Sequence, residues 1–455
     1  MRTNESGKRL LILALSFLGI LMLTGMYAYT WIFAYHRRVI WNIKLYFWGH
    51  LLMVFIYFIL LFFFASTYGG MRIGYLKPMD VFFSQFFSLI CVNTITYFQF
   101  SIIEVKLVRA NGLLWMTMAQ IIFAGFWTWL CNLAYRRVFP PRDLLLIHGN
   151  RPIQDILQKF ASRPDKYNVS QCLHVNRGLK EMEKAIEESG KAVVLWDIPT
   201  ADRNELLKFC YSHSIRVYMM PKIPDVLIKG SDQLHLFDTP ILLSREYSLR
   251  MEQRIAKRAI DLICSFLLIL LSSPVWLITA IAIKLYDKGP VLYRQIRCTV
   301  GGREFEILKF RSMRVDAEKD GVARLATKND SRITPIGKFI RAVRIDELPQ
   351  LLNILKGDMS FIGPRPERPQ IIAQYMEDMP EFALRMKVKA GLAGYAQVYG
   401  KYNTTPYDKL KLDLSYIENY TLWLDIKLML LTLKILFKPE STEGIEENQT
   451  TAKKE

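Results

Sequence analysis

The chain has 455 residues, room for about three domains at roughly 150 residues each. Sixty Lys and Arg stand against 42 Asp and Glu, a net charge of +18, while 51% of residues are hydrophobic and 13% aromatic. This excludes a disordered chain, which would be poor in aromatics, and a single water-soluble domain, which has no aqueous surface for such runs of Phe, Leu, Ile and Trp.

Basic and apolar together point to a bilayer with an anionic inner face, or to an anionic substrate beside one. Nucleic acid is the other partner of basic chains, but the apolar excess has no role there, so none is expected. The six cysteines form no CxxC pair, and with six histidines they outline no zinc or redox site. Cys91, Cys131 and Cys264 lie inside apolar runs, where a thiol acts as a small hydrophobe. The first apolar run is too long for the core of a cleavable signal peptide.

Apolar runs at 10–35, 45–66, 80–103 and 113–135 each reach the ~20 residues that a helix needs to cross ~30 Å of hydrocarbon. Trp31, Trp41, Trp48 and Trp115 stand near their ends, as interface anchors do. With the N-terminus inside, nine Lys and Arg flank the inner ends and five the outer ones, which favours a cytoplasmic start. The runs hold almost no ionisable residue, so they predict an anchor or a homodimer-forming module rather than a transport path. This module is expected over 1–139.

After Pro140-Pro141 the pattern alternates. Leu144–His148, Val193–Trp196 and Ile215–Met219 read as strands; Ile153–Phe160 and Asn204–Ser212 read as helices. Strands separated by helices imply a parallel, nucleotide-binding-like α/β domain, which with a linker from about 221 would fill 140–250. The first turn, His148-Gly149-Asn150-Arg151, has one glycine where dinucleotide binding wants G-x-G-x-x-G. A structural or regulatory role without nucleotide is therefore expected.

Leu262–Ile283 is a fifth apolar run, ~33 Å long as a helix. Ser272-Ser273-Pro274 stands at its centre, and Pro274 cannot donate to the carbonyl four residues back. Both flanks are basic, whereas a true span is usually asymmetric. The expectation is a re-entrant helix that breaks at Ser273 and Pro274, with both ends cytoplasmic.

Residues 290–370 carry the chemistry. Glu304–Phe310 alternates as a strand that delivers Lys309 and Arg311. Arg344-Ile-Asp346-Glu347 opens a helix that Gly357 stops. Asp346 could be a plain N-cap and Glu347 a first-turn charge. Beside Lys309, Arg311, Arg341 and Arg344, however, adjacent carboxylates suit a phosphate ligand bridged by a divalent cation. In Gly363-Pro364-Arg365-Pro366 two prolines stiffen the loop that presents Arg365, whose guanidinium can grip phosphate.

Lys309-Phe-Arg-Ser-Met313, Arg344-Ile-Asp-Glu-Leu-Pro-Gln350, Gly357-Asp-Met-Ser360, Gly363-Pro-Arg-Pro366 and Gly391-Leu-Ala-Gly394 stand in this order. Over about 251–440 the chain therefore resembles the bacterial sugar transferases, the monotopic polyprenyl-phosphate phosphoglycosyltransferases. Four spans and an α/β domain ahead of this segment resemble its long subgroup, the undecaprenyl-phosphate glucose and galactose phosphotransferases. The resemblance implies a three-part fold: a four-span helical bundle, an α/β middle domain, and an α/β-type catalytic domain with a re-entrant membrane helix over 262–283. It also implies a multi-pass protein of the bacterial inner membrane, with the catalytic domain cytoplasmic and membrane lipids around it.

By the same resemblance, Asp346 would attack a UDP-sugar, UDP-glucose first, and expel UMP. Undecaprenyl phosphate would then take the sugar phosphate from the aspartyl intermediate, which starts exopolysaccharide, capsule or O-antigen synthesis. Glu347, with Asp346, would hold Mg²⁺, and Lys309, Arg311, Arg344 and Arg365 would bind substrate phosphate. Asp413 and Tyr416 match a later family pattern. Ala393 replaces the usual hydroxyl residue of Gly-Leu-Thr-Gly, which removes a contact there. The competing readings are an inactive membrane-anchored nucleotide sensor or scaffold, and a transporter of lipid-linked sugars. The intact dyad argues against the first and the apolar spans against the second.

Beyond Tyr420, apolar residues at helical spacing suit an interfacial amphipathic helix or an ordinary core helix. The polar tail over 441–455 is expected to be disordered.

Overall fold

The computed structural model describes residues 5–36, 39, 40, 46–244, 249–315, 330, 332–400 and 404–435. The tail over 441–455, and the loop residues Arg37, Arg38, Trp41 and Lys44, lie outside the described residues. The chain divides into two units, Met1–Pro221 and Lys222–Glu455.

The first unit opens with four long helices: α1 Glu5–Thr30, continued by a π-helical turn Trp31–Tyr35, then α2 Phe47–Tyr68, α3 Pro78–Glu104 and α4 Asn111–Val138. All four are long and apolar enough to cross a membrane, as is one helix of the second unit. Their outward faces carry exposed Leu, Ile and Phe, while the polar residues turn inward. Asn93 of α3 donates to Gln120 Oε1 and Thr117 Oγ1 of α4 and accepts from Tyr57 of α2. Lipid offers no partner for such groups, so they bond across helices and pin the bundle's register.

The α/β part of the same unit runs β1 Arg142–His148, α5 Gln154–Ala161, β2 Tyr167–His174, α6 Leu179–Ser189, β3 Ala192–Trp196, α7 Thr200–Ser212 and β4 Val217–Met219. Its sheet is parallel, in the order β2-β1-β3-β4. Leu144–Ile147 of the central strand are fully buried, each contributing about 1.5–3 kcal/mol of apolar burial. A Cβ on Gly149 would lie 2.1 Å from the Asp197 carbonyl oxygen. The lone glycine after β1 thus lets the β3 turn pass against it. Arg163 ties this domain to the α2–α3 turn, donating to the Tyr75 carbonyl at 3.1 Å.

The second unit begins where a linker was expected. Residues 222–243 instead form α8 Ile223–Lys229 and a hairpin, β5 Asp232–Leu236 and β6 Thr239–Leu243, whose residues are largely exposed. Then follow α9 Met251–Asp287, β7 Leu292–Cys298, β8 Glu304–Phe310, α10 Pro335–Ala342, α11 Gln350–Lys356, β9 Ser360–Ile362, α12 Pro369–Asp378, β10 Gly391–Ala393, α13 Tyr395–Tyr399, α14 Pro406–Glu418 and α15 Leu422–Ile435. β7 and β8 pair antiparallel, and β9 and β10 pair parallel. Leu351, Ile354, Met359, Leu410, Leu414 and Leu428 centre the core.

The 37-residue α9 corrects the expected helix break, because helix runs unbroken through Pro274. The serines before the proline explain why. Pro274 leaves the Leu270 carbonyl without its i+4 donor, and Ser273 Oγ bonds that carbonyl at 2.8 Å. Ser272 Oγ bonds the Leu268 carbonyl and accepts from Trp276 Nε1. One face of α9 exposes Leu, Ile and Phe; the other meets the catalytic fold along its length. Near its start Arg258 donates to the Ile354 and Leu355 carbonyls. Near its end Asp287 pairs with Arg311, and Trp276 meets Phe310 edge-on at 5.5 Å.

Helix α15 takes the core-helix alternative: Leu428 and Leu431 are buried, and Asp425 is 3% exposed. The Asp425 carboxylate accepts from Lys257 at 2.6 Å and from Tyr416 at 2.7 Å.

Candidate active site

The dyad does not cap α11. Asp346 and Glu347 occupy a single 3-10 turn, Ile345–Glu347, while Pro349 precedes α11, so the N-cap reading of Asp346 falls. Arg344 enters the turn with φ +55°, a left-handed conformation that costs a non-glycine residue on the order of 1 kcal/mol or more. The reversal lays the two carboxylates beside β8. Asn353 of α11 fixes their spacing from that strand: its Oδ1 accepts from Leu308 N–H at 2.9 Å and its amide donates to the Glu306 carbonyl at 2.7 Å. Asn353→Ala would take the partner from both part-buried groups, at about 1–3 kcal/mol in all. A fall of several degrees in the thermal midpoint of the full chain in nanodiscs is the expected result.

Glu347 gathers the cations. Its Oε1 accepts from Lys309 at 3.1 Å and from Arg365 at 3.0 Å, and Arg344 stands 3.7 Å from its Oε2. Burial alone would raise its pKa, but Lys309, Arg365 and Arg344 outweigh burial and hold it far below the carboxylate range.

Asp346 is only 8% exposed, and among the described residues no hydrogen-bond donor reaches its carboxylate. Burial pushes its pKa up to about 6 and the neighbouring Glu347 charge adds to this, against Lys309, Arg341 and Arg365. One carboxylate is thus spent on cations and the other kept basic and without a donor, the division that a nucleophile beside an electrostatic partner requires.

Lys309, Arg344 and Arg365 therefore come together as the sequence suggested, and Arg341 adds its field. Arg311 does not join them. It lies just past the end of β8, 7% exposed, and pairs with Asp287. Strand alternation carries Lys309 to the dyad but ends before it can carry Arg311 there, so Arg311 anchors the end of α9. Tyr416 and Asp413 are also held elsewhere. Tyr416 bonds Asp425 and the Ile362 carbonyl, and Asp413 pairs with Arg385 at 2.8 Å.

Sequence reasoning missed Glu367, Arg297, Arg385 and Lys409. Glu367 stands 2.6 Å from Lys409, 3.5 Å from Arg297 and 3.8 Å from Arg385. Burial acts to raise its pKa, but the three cations win and hold it down at about 2. Glu367 follows the Pro-Arg-Pro turn directly, which was the one local signal.

Two adjacent carboxylates beside phosphate-binding cations offer the oxygen-only donors that suit a hard divalent ion, which takes its remaining ligands from phosphate and water. The donor-free Asp346 carboxylate fits this chemistry. Glu347 fits only once its cations turn to substrate phosphate. Among the described residues no group of three or more His, Cys, Asp and Glu is placed to hold a metal ion.

Residues 252–439 match the family model for bacterial sugar transferases. The chain is 43% identical over 183 residues to the UDP-N-acetylgalactosamine-undecaprenyl-phosphate N-acetylgalactosaminephosphotransferase of Aeromonas hydrophila, covering 40% of this chain and 43% of that one. It is 40% identical over 211 residues to the UDP-glucose:undecaprenyl-phosphate glucose-1-phosphate transferase of Escherichia coli K12, covering 45% and 44%. The protein of the same name from Caulobacter vibrioides is 40% identical over 197 residues, covering 42% of this chain and 73% of its own length. The chain belongs to the bacterial sugar transferase family. The match spans less than half the length of the first two relatives.

Proposed function

We propose that the chain transfers a sugar 1-phosphate from a UDP-sugar, with UDP-glucose as the donor, to undecaprenyl phosphate, releasing UMP. A buried, donor-free Asp346 next to a Glu347 that carries three cations is the observation behind this reading. An Asp346 oxygen attacks the β-phosphorus, and the bond from that phosphorus to the bridging oxygen breaks, so UMP leaves with the electron pair. The sugar phosphate is then held as an aspartyl acyl phosphate. An oxygen of undecaprenyl phosphate attacks the same phosphorus, frees the Asp346 carboxylate and yields undecaprenyl diphosphate-sugar. Lys309, Arg344 and Arg365 turn from Glu347 to phosphate oxygens as charge builds. Asp346 and Glu347 would hold Mg²⁺ together with phosphate oxygens, and the ion supplies charge neutralisation there. Incubating the full chain in nanodiscs with undecaprenyl phosphate and a panel of UDP-sugars tests the reading. UMP release with UDP-glucose supports it, and no release with any UDP-sugar overturns it.

The same reading places the protein in the inner membrane with the catalytic unit on the cytoplasmic side, where UDP-sugars are made. Both ends of α9 then stay on the cytoplasmic side: they bind one catalytic fold, while the face turned away from that fold exposes Leu, Ile and Phe. Cysteines placed singly at 250 and 290 in a cysteine-free chain are expected to resist an impermeant maleimide in intact cells and to react after permeabilisation. Labelling of 290 but not 250 from outside contradicts this topology.

A further inference from the structure

The loop that presents Arg365 is held by its backbone carbonyls, in sequence. Lys257 donates to the Ile362 carbonyl at 2.9 Å, and Gly391 N–H to that of Pro364 at 2.9 Å. Arg385 donates to the Arg365 carbonyl at 2.9 Å, Arg297 to that of Pro366 at 3.0 Å, and Cys298 N–H to that of Glu367 at 3.0 Å. Of these donors, Arg385 acts on the residue whose own guanidinium reaches the dyad.

Arg385 is itself fixed on several sides. It is 3% exposed, lies over the Phe382 ring at 4.9 Å, and pairs with Asp413, which is 1% exposed. Glu367 faces its other nitrogen. A buried ion pair is a poor way to gain stability, since apolar packing of the same volume does as well or better. What a paired, stacked guanidinium gives that a leucine cannot is one N–H aimed at one carbonyl. The side chain of Arg365, by contrast, is 37% exposed.

We propose that Arg385 and Asp413 are positioning residues for sugar-phosphate transfer: Asp413 orients Arg385, and Arg385 fixes the backbone of Arg365 so that its guanidinium meets the transferring phosphate. This deepens the proposed function and rests on it. Neither residue touches substrate. Both act through Arg365, so their loss acts on kcat more than on the KM for the UDP-sugar.

A double-mutant cycle in the full chain in nanodiscs tests this, with UMP release as the readout. Asp413→Asn is expected to lower kcat by about 10²-fold, as a displacement near 1 Å does, with KM changed by less than about threefold. In an Arg365→Ala background the same substitution should cost less than about twofold, because the residue it serves is gone. Should Asp413→Asn fail to fold, Arg385→Lys carries the same cycle, since it keeps the charge and loses the stacked fork. Costs that multiply with Arg365→Ala overturn the positioning role and leave the proposed function standing. An Arg365→Ala chain with parental kcat and KM overturns the phosphate role of Arg365 and the positioning role with it.

Discussion

Asp346→Asn is expected to abolish UMP release, by on the order of 10⁴–10⁶-fold, while the chain stays folded. The amide is isosteric but cannot form the acyl phosphate. Asp346→Glu keeps the charge yet moves it by about a methylene, and a misplacement near 1 Å costs ~10²-fold. The raised pKa adds two checks. The carboxylate attacks only when ionised, so kcat/KM should rise with pH through about 6 and level off above, well above the usual carboxylate range. The sign for stability is opposite. An acid whose folded pKa lies above its unfolded value binds more protons folded, so stability falls as pH rises between about 4 and 6. At pH 7 the parent carries that cost in full. Asp346→Asn removes it and should be more stable by on the order of 1–2 kcal/mol. A variant that is dead and more stable at pH 7 than its parent is the expected pair of results. Normal UMP release by Asp346→Asn would remove the nucleophile assignment.

Excess EDTA is expected to stop turnover, and Mg²⁺ to restore it. The site must admit a diphosphate and a lipid phosphate beside two carboxylates of its own. Lys309, Arg344 and Arg365 are the cations in direct reach, and all three stand on Glu347. Once they turn to phosphate, Glu347 loses its counter-charge while buried, which is costly unless another cation replaces them. An oxygen-only donor set selects a hard ion. Isothermal titration of Mg²⁺ into the full chain with and without UMP gives a second readout, with binding tighter in the presence of UMP. Full activity in excess EDTA would contradict the role given to the dyad.

Much of the fold is legible along the chain because its signals are local. The four apolar runs coincide with α1 to α4, and Leu144–His148 and Val193–Trp196 read as the central strands β1 and β3. β2 escaped notice because it is an edge strand whose Asn168, Ser170 and Gln171 break the apolar pattern. β7 escaped because Arg294 and Arg297 alternate with its apolar residues, and its identity depends on pairing with β8. Pro274 signals a break and the serines before it signal hydroxyls that can satisfy freed carbonyls; the second signal holds, with Ser273 bonded to the Leu270 carbonyl, and the helix runs on.

By itself the sequence determined the membrane bundle, the parallel α/β domain, the dyad and its family, because long apolar runs, period-2 and period-3.6 patterns and contiguous motifs are all written within short windows. Only the tertiary structure decided which cations reach the dyad. Lys309, Arg344 and Arg365 are brought to Glu347 by a strand end, a left-handed residue and a pinned loop, while Arg311, two residues from Lys309, is carried off to Asp287. It alone likewise set Asp413 behind Arg365 through Arg385, and gave adjacent carboxylates opposite shifts. The physical reason is that charge acts through space: burial and the distance to a counter-charge set each group's chemistry, and neither is a property of neighbours in the chain.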